Sequence, residues 1–225
     1  MSMKYSKLSH YELKKIIRCF VVDLTALQTS KITWFNRNTI NRYYNIFRQC
    51  IYKQQCNKFK EYIGRDCEYD ESFRWPKRIR GRPWKSKRWR GTTEKIVFGI
   101  YEREWWVFTE LIPDASSRSI SSIVRGHTDI ETIIRTDKWK WYDWLVDVAY
   151  NKRLRVNHSK WFVNKKTHIN GIEAYRSFSR RRMAKFNGVS KNFIWHLKEC
   201  ERRYLQDDKL LCKHLLFLIK KYHPS

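Results

Sequence analysis

An excess of basic residues constrains this chain more than any other feature, because 48 lysines and arginines stand against 22 aspartates and glutamates. The formal net charge of +26 would repel itself within a compact domain unless a polyanion bound nearby. Intrinsic disorder is another outcome of high charge, but disordered basic segments contain few aromatic residues. Here 42% of the residues are hydrophobic and 16% are aromatic. We therefore expect a folded protein that binds nucleic acid or another anionic surface.

Targeting signals and cysteine spacing favour an intracellular protein. Residues 1–10 are polar and charged, so no signal peptide is predicted, and no apolar run approaches the roughly 20 residues that cross a bilayer. The six cysteines include no C-x-x-C pair, which favours reduced thiols over a disulfide framework or a zinc ribbon. We expect no membrane partner, and a location in the cytoplasm and nucleoid of a bacterium or in the nucleus of a eukaryote.

Three helical patterns occupy the first 60 residues. Ser9 can cap a helix whose apolar residues recur at helical spacing as far as Val21, and a short helix is predicted over Ala26–Ile32. A third helix is expected to begin after Asn36 or Asn38 and to bury one apolar stripe, formed by Ile40, Tyr43, Tyr44, Phe47 and Ile51. This layout predicts an N-terminal helix-turn-helix domain over residues 1–60.

The third helix has a polar face of the kind that contacts DNA phosphates and base edges. Its exposed side chains are predicted to be Arg37, Asn41, Arg42, Asn45, Arg48 and Gln49. Helix-turn-helix patterns are weak signals in sequence, and a small helical bundle with a solvated polar face is an equal alternative.

A second basic region lies between residues 74 and 95, where eight basic side chains fall within the fourteen positions 77–90 with no acid among them. Three tryptophans are interleaved with them, and Gly81, Pro83 and Gly91 break regular structure. This pattern predicts a loop that follows DNA phosphates and offers rings for stacking, with Lys77, Arg78, Arg80, Arg82, Lys85, Lys87, Arg88 and Arg90 as its cations. A solvated charge run and a nuclear-localisation patch are the alternatives.

Residues 61–225 combine strand and helix patterns. Strands are predicted near Cys67–Phe73, in a hairpin over Lys95–Tyr101 and Trp105–Ile112, and near Glu131–Thr136 and Leu154–Val156. Helical patterns fall over Ser116–Arg125, Lys140–Tyr150, Ile169–Phe186, Lys191–Leu205 and Lys209–Tyr222. This order predicts an α/β fold with a mixed sheet flanked by helices. The leucine-rich last helix is expected to cover the sheet, with a dimer surface as the alternative.

Because acids are scarce, their positions are informative. Asp70 lies on the first predicted strand, and Asp137 follows a later strand at its carboxyl end, where open α/β sheets bind ligands. Glu173 lies near the start of a long helix. Three such carboxylates suit a pair of hard divalent cations that assist phosphodiester displacement. Each acid alone would more often be structural, for example as a helix cap.

Several sequence blocks carry a family resemblance. In chain order they are Tyr-Asp-Glu-Ser-Phe, Thr-Asp-Lys-Trp, Val-Asn-His-Ser-Lys-Trp-Phe-Val, His-Ile-Asn-Gly-Ile-Glu, Lys-Phe-Asn-Gly-Val and Lys-Glu-Cys-Glu-Arg-Arg-Tyr. Together they resemble the signature blocks of the Merlin-type, ISXO2-like DDE transposases. The resemblance implies an RNase H-like catalytic domain over residues 61–225. It also implies a catalytic triad of Asp70, Asp137 and Glu173 that binds two Mg²⁺ or Mn²⁺ ions.

The same resemblance implies partners and further site residues. It implies double-stranded DNA, both as terminal inverted repeats and as target, and cut-and-paste transposition by cleavage and strand transfer. A homo-oligomer, dimer or higher, is expected because two transposon ends must be held together. Arg180 follows Glu173 by seven positions, as a basic residue does in many such enzymes, and suits a phosphate oxygen. DNA or carboxylate contacts are expected, with turn-fixing hydrogen bonds as the alternative, for Asn157, His158, His168 and Asn170.

Two other functions remain open at this stage. A domesticated or inactive transposase would bind DNA without cleaving it, and a nuclease or integrase of the same fold would differ only in substrate. The presence of three suitably placed acids in a chain of charge +26 favours the enzyme over the binding protein.

Overall fold

The computed structural model describes residues 8–58, 66–75, 95–103, 106–114, 116–128, 132–136, 153–155, 170–186, 189, 192–204 and 206–222. The chain divides into two compact units. The first, called the helical unit below, contains Met1–Lys58 and Trp195–Ser225, and the second, called the sheet unit, contains Phe59–Ile194.

The described residues contain seven helices and five strands. The helices are α1 (His10–Val21), α2 (Ala26–Thr33), α3 (Arg37–Lys58), α4 (Ser117–His127), α5 (Asn170–Ala184), α6 (Phe193–Tyr204) and α7 (Asp208–Tyr222). The strands are β1 (Cys67–Trp75), β2 (Lys95–Glu102), β3 (Trp106–Ile112), β4 (Ile134–Thr136) and β5 (Arg153–Arg155). Within the described ranges, no helix combines the length and the apolar composition needed to cross a bilayer.

Local capping residues define where the first three helices begin. Ser9 caps α1 in a capping box, where its hydroxyl accepts the Glu12 N–H and the Glu12 carboxylate accepts the Ser9 N–H at 2.7 Å. A box of the same kind begins α2. Of the two caps predicted for α3, Asn36 is used: its side-chain oxygen accepts the Asn38 N–H at 2.8 Å. The three predicted N-terminal helices are therefore present.

The core of the helical unit is formed by α1, α3 and α7. The predicted apolar stripes of α1 and α3 are buried, and α7 adds Leu211, Leu215, Leu218 and Ile219 to the same cluster. The sequence had suggested that this last helix covers the sheet, and the structure instead packs it against α1 and α3. The physical reason is the small size of α2, which has only eight residues and buries only Thr29. It therefore leaves part of the apolar surface of α1 and α3 uncovered, and α7 packs on that surface. Residues 195–225 consequently group with residues 1–58.

Buried charges also hold the helical unit together. Glu199 of α6 is fully buried and accepts hydrogen bonds from Arg48 Nε at 2.8 Å and Arg203 Nε at 2.9 Å. Arg203 donates in addition to the carbonyl oxygens of Phe20 and Val21, at 2.6 and 2.7 Å, where α1 ends. Both guanidinium groups lie near the Phe20 ring, at 5.6 and 4.8 Å from its centroid. This cluster joins α6 to α1 and α3.

The sheet unit contains one mixed five-stranded sheet in the order β3-β2-β1-β4-β5 among the described strands. β1 is antiparallel to β2 and β2 to β3, which confirms the predicted hairpin, whereas β4 is parallel to both β1 and β5. Ile120 and Val124 of α4 pack on the face that carries Cys67 and Tyr69. The mixed α/β sheet expected from the sequence is confirmed, and the helix predicted over Lys140–Tyr150 lies outside the described residues.

All six cysteines are described, and all are free thiols. Burial raises the pKa of Cys50 to about 11 and also raises the pKa of Cys67, so both remain protonated at neutral pH.

Candidate active site

Strand alternation places two carboxylates on one face of β1. Cys67 and Tyr69 enter the core beneath α4, so Glu68 and Asp70 lie on the opposite face. Both side chains are buried, at 1% and 7% exposure. Buried acids require cationic or hydrogen-bonding partners, which makes this face of β1 chemically distinctive.

The strand pairing around Asp70 is irregular. The backbone partner of Asp70 on β2 is Gly99, which has no side chain to cover it. Immediately after Asp70 the register between the two strands shifts, with Phe73 opposite Val97. One extra residue on β1 produces a β-bulge, a feature that often redirects side chains next to active sites.

Helix α5 brings Glu173 to this part of the sheet. Glu173 lies exposed in the first turn of the helix. The preceding residue, Ile172, donates its backbone N–H to Glu68 Oε2 at 3.0 Å, so the start of α5 is bound to β1. The unsatisfied N–H groups and the positive dipole end of a helix favour a carboxylate at this position.

A glycine allows α5 to approach the sheet closely. Gly171 lies against the Tyr101 ring of β2, and a Cβ atom at this position would stand 2.1 Å from Tyr101 Cε1. No side chain fits at that distance unless the ring or the helix moves. Gly171 and Glu68 therefore set the position of the helix turn that carries Glu173.

Two arginines of α5 lie close to Asp70. Arg176 Nη1 is 3.4 Å from Asp70 Oδ2, and the two form an ion pair. Partial loss of hydration and the like charge of Arg176 lower the pKa of the Arg180 guanidinium, and the Asp70 carboxylate opposes this by raising it. Arg180 lies on the exposed side of the helix, one turn after Arg176.

Several predicted site residues lie outside the described part of the chain. Among the candidate acids this applies to Asp137, and the described residue before it is Thr136, the last residue of β4. Asn170 is described as the exposed first residue of α5. The other predicted positions outside the described ranges are Asn157, His158, His168, Lys77, Arg78, Arg80, Arg82, Lys85, Lys87, Arg88 and Arg90. Within the described part of the chain, no group of three His, Cys, Asp or Glu side chains is close enough to hold a metal ion.

The polar face predicted for α3 is largely exposed. Arg37, Asn41, Arg42 and Asn45 are all exposed. Gln49 is half-buried, and Arg48 requires a correction, because it is buried at 6% exposure and paired with Glu199. Its position on the helix puts it on the side that faces α6, so we no longer assign Arg48 to DNA.

A chain of charged residues beside Asp70 was missed by sequence reasoning. Arg135 of β4 binds both carboxylate oxygens of Asp66, through Nε at 2.6 Å and Nη2 at 2.7 Å. Arg103 approaches Asp66 at 3.7 Å and binds Glu68 Oε1 through Nε at 3.0 Å. The sequence feature that could have revealed this chain is Glu68, an acid two residues before Asp70 and therefore on the same face of the strand.

Comparison with known proteins identifies the family. The family model described as the ISXO2-like transposase domain matches residues 66–204, from the residue before β1 to the end of α6. This chain belongs to the ISXO2-like transposase family. The match contains Asp70, Asp137 and Glu173, and the resemblance expected from the sequence blocks is confirmed.

A curated relative agrees with this assignment. An uncharacterized transposase-like protein of Haemophilus influenzae is 35% identical to this transposase over 99 residues, which cover 44% of this chain and 80% of the relative. The three N-terminal helices lie before the region that the family model matches.

The described part of the site contains side chains of the chemical type that binds divalent metal ions. Asp70 and Glu173 supply carboxylate oxygens, which Mg²⁺ and Mn²⁺ prefer as ligands. Asp70 already has a cation, the Arg176 guanidinium, against its carboxylate. A metal ion at Asp70 would have to displace this guanidinium or share the carboxylate with it.

Proposed function

We propose that this ISXO2-like transposase is an active DNA transposase that binds terminal inverted repeats and catalyses metal-dependent cleavage and strand transfer. One observation carries the proposal: the first turn of α5, with Glu173, is bound to the same face of β1 that presents Asp70. Membership of a transposase family supports the choice of DNA as substrate.

The sheet unit serves as an RNase H-like catalytic domain in this proposal. Three antiparallel strands followed by two parallel ones, with helices on both faces, support that assignment. We also propose that Asp137 joins Asp70. Glu68 and Arg135 are partners in the parallel pair of β1 and β4, and a register continued by two residues on each strand would bring Asp70 and Asp137 side by side.

The side chains have separate tasks in this mechanism. Asp70, Asp137 and Glu173 would hold two Mg²⁺ or Mn²⁺ ions, which would activate the attacking hydroxyl and stabilise the leaving oxygen of the phosphodiester. Arg176 and Arg180 would place guanidinium groups against the phosphate oxygens, since both lie within the electrostatic reach of Asp70. The same carboxylates would also help to orient the attacking water or 3′-hydroxyl toward the scissile bond.

The helical unit supplies DNA recognition in this proposal, with α1, α2 and α3 acting as a helix-turn-helix domain. The exposed polar side chains of α3 support this assignment: Arg37, Asn41, Arg42 and Asn45. A homo-oligomer would hold two transposon ends together for strand transfer.

DNA binding should weaken steeply with salt, because the +26 charge releases counterions from the DNA. Arg42→Ala should weaken binding to all sequences and reduce the slope of log K against log salt by about 1. The measurement is a fluorescence-anisotropy titration between roughly 50 and 200 mM salt. Lys14→Ala makes the same charge change on exposed α1 and should alter the slope less. A nearly flat salt dependence of the wild type would contradict the proposal.

Cleavage is tested with a labelled DNA duplex that carries one inverted-repeat end. The wild type should cut the end in Mg²⁺ or Mn²⁺ and join it to a second duplex, whereas Asp70→Asn and Asp137→Asn should bind the DNA without cutting it. Asp208→Asn, the same change at an exposed acid of α7, should leave cleavage intact.

Each other outcome has a definite meaning. Binding without cleavage by the wild type in both metals would leave only a transposase-derived DNA-binding protein. Cleavage without joined product would identify a nuclease of the same fold.

A further inference from the structure

A buried carboxylate that is not itself in the proposed triad connects the elements that carry the triad. Glu68 has 1% of its surface exposed. Its Oε2 atom accepts the Ile172 N–H at 3.0 Å, and its Oε1 atom accepts Nε and Nη2 of Arg103, both at 3.0 Å. Both oxygens therefore have protein partners, so Glu68 is poorly suited to bind a metal ion.

The partners of Glu68 lie next to the proposed catalytic acids in sequence. Glu68 is two residues before Asp70 on the same strand face, and Ile172 is the residue before Glu173. Any displacement of the Glu68 carboxylate would therefore change the separation between β1 and the first turn of α5.

Arg103 extends the connection to the neighbouring strand. It approaches Asp66 at 3.7 Å, and Asp66 is bound by both nitrogens of the Arg135 fork. Arg135 is itself the backbone partner of Glu68 and lies two residues before Asp137. The contacts Arg135–Asp66–Arg103–Glu68–Ile172 thus form one continuous chain, in which Glu68 provides the link to α5.

We propose that Glu68 is a positioning residue, which sets the separation of Asp70 and Glu173 by binding the start of α5 and thereby determines metal affinity. This inference rests on the proposed function. Residues that orient metal ligands typically change metal affinity or activity by about 10- to 100-fold when they are replaced. The Glu68 carboxylate acts in the same way here, through the helix backbone rather than through a ligand side chain.

The first test uses hydrogen exchange to measure how firmly the start of α5 is bound to β1, in protein without metal or DNA. In Glu68→Ala, the Ile172 amide should exchange with solvent at least about tenfold faster, because it loses its buried acceptor. Amides in the middle of α5, such as that of Ser177, should keep their protection. Glu68→Gln retains a carbonyl acceptor of similar length and should preserve much of the Ile172 protection, which keeps the test usable if the alanine variant folds poorly.

The second test measures metal binding on folded protein by Mn²⁺ electron paramagnetic resonance. Glu68→Ala should raise the Mn²⁺ concentration for half-saturation by about 10- to 100-fold, with a smaller rise in Glu68→Gln. The rate of cleavage of the duplex with the inverted-repeat end should fall, while the dissociation constant for that duplex stays unchanged. Glu110→Gln, an acid replaced on β3, is the matched control and should change none of these values.

The outcomes separate this inference from the proposed function. Wild-type Mn²⁺ affinity and turnover in folded Glu68→Ala would overturn the positioning role. An inert wild type that binds no Mn²⁺ would overturn the proposed function together with this role, and the Ile172 exchange would then identify the contact as structural only. Faster Ile172 exchange together with weaker Mn²⁺ binding would support the role of Glu68.

Discussion

Glu199→Gln should lower the free energy of unfolding by about 3 to 5 kcal/mol, the typical loss when one partner of a buried ion pair is removed. Glu199 is fully buried between Arg48 and Arg203, whose side chains are each only 7% exposed. The isosteric amide keeps the shape of the side chain and removes its charge. Two buried guanidinium groups would then share a neutral acceptor, and the partly exposed Asp23, 3.7 Å from Arg203, would offset only part of their charge.

The measurement is urea unfolding monitored by circular dichroism, together with a double-mutant cycle. Arg48→Met/Glu199→Gln should lose less stability than the sum of its single variants, because the second substitution removes one of the stranded charges. Glu12→Gln is the matched control: glutamine can occupy the same position of the α1 capping box, so stability should remain near that of the wild type. A loss below about 1 kcal/mol in Glu199→Gln would mean that the pair is hydrated like a surface salt bridge.

Gly171→Ala should reduce DNA cleavage by about two orders of magnitude, because a misplacement of about 1 Å at a reacting group costs a factor of this size. The added Cβ atom would stand 2.1 Å from the Tyr101 ring, so the ring or the helix must move, and we expect α5 to move away from β2. The overpacking should also lower the free energy of unfolding by about 1 to 3 kcal/mol. Alanine favours helix formation over glycine, so any loss must come from the docking of α5 and not from the helix itself.

Gly126→Ala provides the matched control, because nothing lies within 4 Å of a Cβ atom at that position in α4. It should raise stability by up to about 1 kcal/mol and leave cleavage unchanged. The double variant Tyr101→Ala/Gly171→Ala removes the clash and should recover part of the cleavage rate. Wild-type cleavage in Gly171→Ala would indicate that the Tyr101 ring moves and α5 stays in place, or that the position of α5 does not matter for the reaction.

The proposals differ in how directly described contacts support them. The docking of α5 on β1 and the Arg176–Asp70 pair come from described side chains. The place of Asp137 rests on the register of β1 and β4, and the DNA contacts of α3 rest on exposure and residue type. The variants at Asp70, Asp137 and Arg42 test these parts separately.

Local patterns in the sequence predicted the elements well. The cap at Ser9 and the apolar stripe of α3 involve only residues within a few helical turns, and such short-range features require no knowledge of the fold. Hydrophobic alternation likewise identified the hairpin of β2 and β3. The family blocks around Asp70 and Glu173 identified the transposase family, which the match over residues 66–204 confirms.

Long-range pairings were beyond those patterns. Periodicity predicted which face of α7 is apolar but not what that face packs against. The apolar surface of α1 and α3 was as suitable a partner as the sheet. Arg48 was read as a DNA contact because its helix is polar, although its acceptor Glu199 lies 151 residues away. A helical pattern gives the direction of a side chain and leaves its partner undetermined.

The sequence by itself determined the charge of +26, the positions of most helices and strands, and the acids around which a transposase site can form. Only the tertiary structure decided how those acids are held. Glu68 reaches the Ile172 N–H across 104 residues of chain, and Arg176 rather than Arg180 pairs with Asp70. The physical reason is that buried charges choose partners by proximity and desolvation, which depend on the packed elements and not on spacing along the chain.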